Sequence, residues 1–239
     1  VRICQRFTQV HFNHPKHREM MLKLIDGQQV LSRNKELIVA CRQYLDRYGV
    51  SAEAVGIEIR LADALDQTTD REGFAKAAEV IWKRHGNSVI GKKYLEKAVY
   101  AYQALPGAEL QLQAAAISEE GMEKVSAKNY ARAMGNNAVY IYSRLSKRVD
   151  SNRVVNRMFQ RGLVGDAEQQ RLAYLQIAAN YESLEQYTNA ANMYQNARRI
   201  RDDADTLYKQ TMVVYNSKTN PGQTEALLNQ FKQKFSQDE

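Results

Sequence analysis

The stretch that most constrains the fold is residues 171–199, RLAYLQIAANYESLEQYTNAANMYQNARR. Tyrosines, an isoleucine and alanines recur there at steps of three and four: Tyr174, Ile177, Ala178 and Tyr181, then Tyr187, Ala190, Tyr194 and Ala197. That spacing puts one apolar stripe on each of two helices. The step from Tyr181 to Tyr187, through Glu-Ser-Leu-Glu-Gln, leaves room for a tight turn. Ala178 and Ala190 are small enough to let the two backbones approach, and the tyrosines fill the space beside them. Composition agrees with helix throughout, since 239 residues contain only 3 Pro and 12 Gly. No strand pair or hairpin pattern occurs.

This alternation resembles the tetratricopeptide repeat, a helix–turn–helix unit of about 34 residues. The resemblance implies an all-α fold, an α-solenoid that coils as a right-handed superhelix of about a dozen helices in antiparallel pairs. A second copy follows at the expected distance. Tyr174 recurs as Tyr208 and Tyr181 as Tyr215, and 208 − 174 = 215 − 181 = 34. The next helix is predicted from Pro221, a favoured first-turn residue, and carries Ala226, Leu227, Phe231 and Phe235. Asn229, Gln230, Lys232 and Gln233 give it the polar outer side of a closing helix.

A longer period appears upstream, where DRYGVSAEAVGIEIRLADAL (46–65) aligns with KRHGNSVIGKKYLEKAVYAY (83–102). Gly49 matches Gly86 and Ser51 matches Ser88, an offset of 86 − 49 = 37. The glycines are expected at left-handed helix ends and the serines at N-caps, with Asn87 competing for the second. This pattern is similar to the repeats of bacterial envelope tetratricopeptide proteins, the outer-membrane-assembly lipoprotein and periplasmic coordinator families. Those carry proline where this chain has Gly49 and Gly86. The likeness implies a periplasmic or cell-envelope setting, with the cytoplasm as the alternative.

One array is therefore expected over 1–239: N-terminal helices in 1–48 (17–30 and 34–48), two long degenerate repeats in 49–107, degenerate helical pairs in 108–165, and two repeats with a capping helix in 166–239. Within the degenerate part, Tyr130, Ala131, Met134, Ala138 and Ile141 form one stripe and Val154, Val155, Met158 and Phe159 another. Leu105-Pro106-Gly107 is a turn, and no linker divides the chain. No apolar run approaches the ~18–20 residues of a membrane span. The sequence begins at Val1 rather than Met, so a removed leader or lipid-anchored stretch stays open.

Little in the chain calls for chemistry. Cys4 and Cys41 lack the spacing of a structural zinc site, and GxSxG, HExxH, GxxxxGK[ST] and GxGxxG are all absent. Neither a catalytic residue, a cofactor nor a metal is expected. His11, His14 and His17 form an HxxHxxH run, but Pro15 breaks the helix that would align them, so solvated histidines are expected. Glu119, Glu120 and Glu123 read as an exposed acidic face.

The charge balance is 34 − 27 = +7. Its most concentrated part is Arg144, Lys147, Arg148, Arg153, Arg157 and Arg161, set against the single acid Asp150. Four-residue steps stack these guanidiniums along one helix face. Two readings stand: a solvated face, or one neutralised by acids elsewhere in the fold; and a docking surface for an acidic protein segment, lipid headgroups or nucleic acid. Nucleic acid is disfavoured because base-stacking aromatics do not alternate with the arginines.

The family resemblance implies a different binding face, the first helix of a repeat, which here presents Leu172, Leu175, Ala179, Glu182 and Ser183. Relatives that grip a C-terminal carboxylate use Lys and Asn where Leu175 and Ala179 stand, so a groove for an amphipathic helix or an extended apolar peptide is expected instead. The function implied is a non-catalytic protein–protein interaction scaffold within a larger bacterial assembly, with another protein or peptide as partner and no small-molecule substrate. The alternative is an α-solenoid that binds RNA or an acidic polysaccharide through the arginine stripe.

Overall fold

The computed structural model describes residues 1–235. Among them are thirteen α-helices and no strand: α1 (Arg2–Val10), α2 (His17–Val30), α3 (Asn34–Tyr48), α4 (Ala54–Gln67), α5 (Arg71–His85), α6 (Val89–Ala104), α7 (Ala108–Lys124), α8 (Lys128–Arg144), α9 (Arg148–Gln160), α10 (Ala167–Ser183), α11 (Tyr187–Ile200), α12 (Ala204–Ser217) and α13 (Pro221–Phe235). The fold is an all-α solenoid arrangement. Helices α1 to α6 pack consecutively on one another, as do α8 to α13. Contacts gather into two compact units, Val1–Ile117 and the chain from Ser118 onward, and the division falls inside α7 rather than in a loop. The described helices include none long and apolar enough to cross a membrane.

Burial follows a repeating register whose step varies along the chain. Helix α6 buries Gly91, Tyr94, Leu95, Ala98, Val99, Ala101 and Tyr102; α8 buries Ala131, Met134, Gly135, Ala138, Val139, Ile141 and Tyr142, each 131 − 91 = 40 residues later. From α3 to α5 the step is 37, pairing Leu37, Cys41 and Tyr44 with Phe74, Ala78 and Ile81. From α10 to α12 it is 36, since Ile177-Ala178 corresponds to Val213-Val214 (213 − 177 = 36). The expected 34-residue match of Tyr174 and Tyr181 to Tyr208 and Tyr215 is therefore out of register, because Tyr208 and Tyr215 are exposed. A tyrosine satisfies a packed position and a wet one equally well, so matching its identity does not match its face.

In the second unit Ala178 and Ala190 are fully buried in one cluster with Tyr194, Leu207, Val213, Val214 and Leu227, as the close-approach reading requires. On α13, Leu227 is buried and Phe231 and Phe235 pack on that cluster, whereas Ala226 is exposed. In the first unit Trp82 is fully buried with its indole N–H unpartnered. Burying an indole of roughly 150–250 Å² stabilises by about 4–6 kcal/mol, which outweighs the roughly 1–3 kcal/mol cost of the orphaned donor.

The helix ends mix expected and unexpected chemistry. Ser88 caps α6 by accepting from the Gly91 N–H, and Gly86 closes α5 with φ +46°. The equivalent pair one repeat earlier behaves otherwise. Gly49 is right-handed (φ −64°), and the Ser51 hydroxyl lies 3.0 Å from the Tyr44 hydroxyl instead of capping α4. The buried tyrosine competes for the hydroxyl that the cap would have used. Further along, Asp166 and Gln169 form a full capping box at α10, and Asp203 accepts from the Thr206 N–H at α12.

Candidate functional site

Within the second unit, α8, α10 and α12 are linked by side-chain bonds. Gln176 on α10 donates to the Ser143 hydroxyl at 3.3 Å, and buried Arg171 binds Asp203 and the Thr206 hydroxyl at the start of α12. Their outward faces align by a step of 39 from α8 to α10, where buried Ala138-Val139 correspond to Ile177-Ala178 (177 − 138 = 39), and of 36 from α10 to α12. Position 133 of α8 corresponds to Leu172 and Tyr208, and Tyr140 corresponds to Ala179 and Tyr215, with Met212 between the two α12 tyrosines. Tyr140, Leu172, Tyr208 and Tyr215 are 59%, 54%, 54% and 64% exposed. A cleft of about 260 Å³ opens between α8 and α10, lined by Asn136, Val139, Leu172, Ala173 and Gln176 among others.

The corresponding face of the first unit carries ion pairs beside an exposed Tyr100, the counterpart of Tyr140. Asp26 of α2 pairs with Arg60 of α4, and Asp63 of α4 lies 3.8 Å from Lys97 of α6. One face thus carries ion pairs between successive repeats with Tyr100 beside them, and the other groups several exposed apolar side chains. Exposed apolar side chains grouped in this way mark interaction surfaces more often than singly scattered ones do.

The five residues expected on α10 divide between lining and support. Leu172 and Ala179 face outward, and Ser183 is exposed with its hydroxyl donating to the Ala179 carbonyl at 2.9 Å. Leu175 is half-buried against the core cluster. Glu182 accepts a 3.0 Å bond from the Tyr194 hydroxyl, which burial and that carboxylate together push well up from its ordinary pKa. The exposed apolar contribution of Tyr140, Tyr208, Met212 and Tyr215 goes beyond those five positions. A readable signal for Tyr140 was present in the chain, because Ala98-Val99-Tyr100-Ala101-Tyr102 recurs forty residues on (138 − 98 = 40) as Ala138-Val139-Tyr140-Ile141-Tyr142.

The arginine run is largely spent inside the unit. Arg153 pairs with Glu119 and, at 3.0 Å, with Asp150; Arg157 pairs with Glu119 at 2.9 Å and Glu123 at 3.0 Å; Arg161 donates to the Met122 carbonyl. Glu119 is buried and also accepts from the Tyr142 hydroxyl at 3.3 Å. Two of the three glutamates read as a solvated acidic face, Glu119 and Glu123, are thus the counterions of the basic stripe, while Glu120 pairs with Lys124. Arg144 lies 5.7 Å from the Tyr140 ring centroid, and Lys147 and Arg148 precede the paired residues along the chain.

Of the three N-terminal histidines, His11 and His14 are exposed, but His17 is buried, against expectation. Its Nδ1 lies 2.9 Å from the Tyr48 hydroxyl and its Nε2 3.1 Å from the Thr8 carbonyl. Two hydrogen-bonding partners compensate the ring for its lost water. Among the described residues no group of three or more His, Cys, Asp or Glu is placed to hold a metal. Cys41 is buried, which pushes its thiol up to about 12.

No family model and no curated protein matches the chain. Among solved structures it is similar to a thermophilic TPR protein from Thermus thermophilus, with 16% identity over 83% of this chain and 99% of that one and a TM-score of 0.34. It is also similar to BtubC (BKLC) from P. vanneervenii, with 16% identity over 97% of this chain and 86% of that one and a TM-score of 0.28.

Proposed function

We propose that this protein is a non-catalytic scaffold, a tetratricopeptide-like array that holds an apolar segment of another protein against the outward face of α8, α10 and α12. The observation that carries this reading is the exposed set Leu172, Tyr208, Met212 and Tyr215 grouped on neighbouring helices, where the first unit has ion pairs beside Tyr100. Large aromatics held on rigid helices lose little side-chain entropy on binding and supply most of the energy at such contacts. The partner is another protein, and the scaffold serves as a component or adaptor of a larger assembly. The resemblance to envelope repeat proteins points the search to bacterial envelope extracts.

The test is recovery of partners on the immobilised protein, comparing wild type with Tyr208→Ser/Met212→Ser/Tyr215→Ser. The triple variant is expected to keep its helical circular dichroism and lose the partner. Wild-type recovery should change little with salt, because apolar anchors release no counterions. Undiminished recovery by the triple variant would sink this assignment. A steep salt dependence would favour anionic-polymer binding instead.

A further inference from the structure

A second cleft, about 480 Å³ in volume, runs along three turns of α9 and is closed on one side by Tyr181, Leu184 and Gln186 at the end of α10 and the turn beyond it. Its α9 wall is the helix face that carries the arginine run, but the arginines do not set its chemistry. Arg153 and Arg157 line the cleft, yet Glu119, Glu123 and Asp150 already hold them, and no carboxylate lines it. What remains is an amide series: Asn152, Asn156 and Gln160 at four-residue steps.

Three properties of that series point to one ligand chemistry. Each amide offers both a donor and an acceptor, as a peptide unit does. Four residues of helix rise about 6.0 Å, close to the roughly 6.6–6.8 Å that two residues of an extended chain span, so successive amides stay in reach of alternate peptide groups. Lastly, the series carries unused hydrogen-bonding capacity. Asn152 is buried, accepts from the Asn180 amide at 2.7 Å and leaves its own Nδ2 without a partner. Among the described residues the Asn156 and Gln160 side chains make no hydrogen bond.

We propose that this cleft binds the main chain of an extended polypeptide segment. The side chains that alternate towards Tyr181 and Leu184 are apolar. The site is separate from the aromatic face of α8, α10 and α12, and it reads backbone rather than charge.

Panning random peptides, long enough to span three turns of helix, on the wild-type protein after depletion on Asn156→Leu/Gln160→Leu tests this. Both positions are exposed, so the double variant is expected to fold, with circular dichroism as the check. Peptides that survive depletion should bind the wild type at least tenfold more tightly than the double variant. They should lose binding when alternate backbone amides are N-methylated, and keep it when salt is raised. No enriched peptide after depletion, binding that tolerates N-methylation, or affinity that falls steeply with salt would each overturn the proposal; the last would return the cleft to its arginines. Serine substitution of Tyr208, Met212 and Tyr215 should leave this binding intact, which separates its outcome from that of the scaffold assignment.

Discussion

Glu119 offers the sharpest test of how the second unit is held together. Arg153, Arg157 and the Tyr142 hydroxyl converge on this one buried carboxylate. Glu119→Gln removes the charge but keeps the shape and one acceptor oxygen, which can stay with the two guanidiniums on the Oε1 side while its NH2 donates to the Tyr142 oxygen on the other. Each arginine bond loses one of its two charges and stays charge-assisted by the guanidinium, so each should weaken by up to about 1 kcal/mol. The two guanidiniums are 40% and 44% exposed, and water recovers part of that loss. The expected destabilisation is about 1–2 kcal/mol. Glu123→Gln removes the exposed partner of Arg157 and should cost no more than about 0.5 kcal/mol. Urea unfolding followed by far-ultraviolet circular dichroism measures both, with unchanged slopes required for the comparison. A midpoint shift for Glu119→Gln no larger than that for Glu123→Gln would refute the idea that a buried carboxylate organises these arginines.

Acid dependence separates a second buried carboxylate, Glu79, from a merely packed one. Burial raises its pKa, but hydrogen bonds from Lys83, Tyr102 and Gln113 outweigh that and leave it below its ordinary value. Its contribution is then fully present above the unfolded-state value of about 4.3 and lost as pH falls through the folded one, so the stability gap between wild type and Glu79→Gln should narrow below about pH 4; a gap constant with pH would contradict this. Ala190→Leu should cost about 1–3 kcal/mol by overpacking the α10–α11 contact, whereas Asn229→Leu on the exposed side of α13 should stay within about 0.5, both read from urea midpoints. A Cβ at Gly135 would lie 2.8 Å from the Met158 sulfur and 2.9 Å from that of Met122. Because thioethers shift readily and alanine favours helix, Gly135→Ala should fall within about 1 kcal/mol of wild type in thermal unfolding, and Gly135→Leu should lose about 1–3.

Much of the helical layout was legible in the chain. The expected helices over 17–30 and 34–48 match α2 and α3, and the Ala178–Ala190 contact is buried as its spacing requires. Apolar periodicity works there because helical geometry fixes which residues share a face. The repeat length was harder to read. Burial recurs at 37, 40 and 36 residues chiefly because helix length varies, α7 having 17 residues and α11 only 14 between turns of equal length, so a search at one period finds Tyr208 and Tyr215 and misses their exposure. The partners of Arg153, Arg157 and Arg161 were not legible for a related reason. Glu119 and Arg153 are 153 − 119 = 34 residues apart, a distance at which local charge patterning is blind. His17 was missed similarly, since the Tyr48 that satisfies it lies 31 residues on, at the far end of the next helix.

The variable step has a further meaning for how such a chain changes over generations. Glu79 with Tyr102, and Glu119 with Tyr142, each join residues 23 apart, while Glu79 with Gln113 and Glu119 with Arg153 each reach 34. These bonds form a sliding template: α5 carries the carboxylate that receives α6 and α7, and α7 carries the one that receives α8 and α9. Duplication of a pair would then disturb only its two flanks. Helix length beyond the bonded positions can drift without breaking the template, and the number of pairs becomes a quantity that selection is free to adjust.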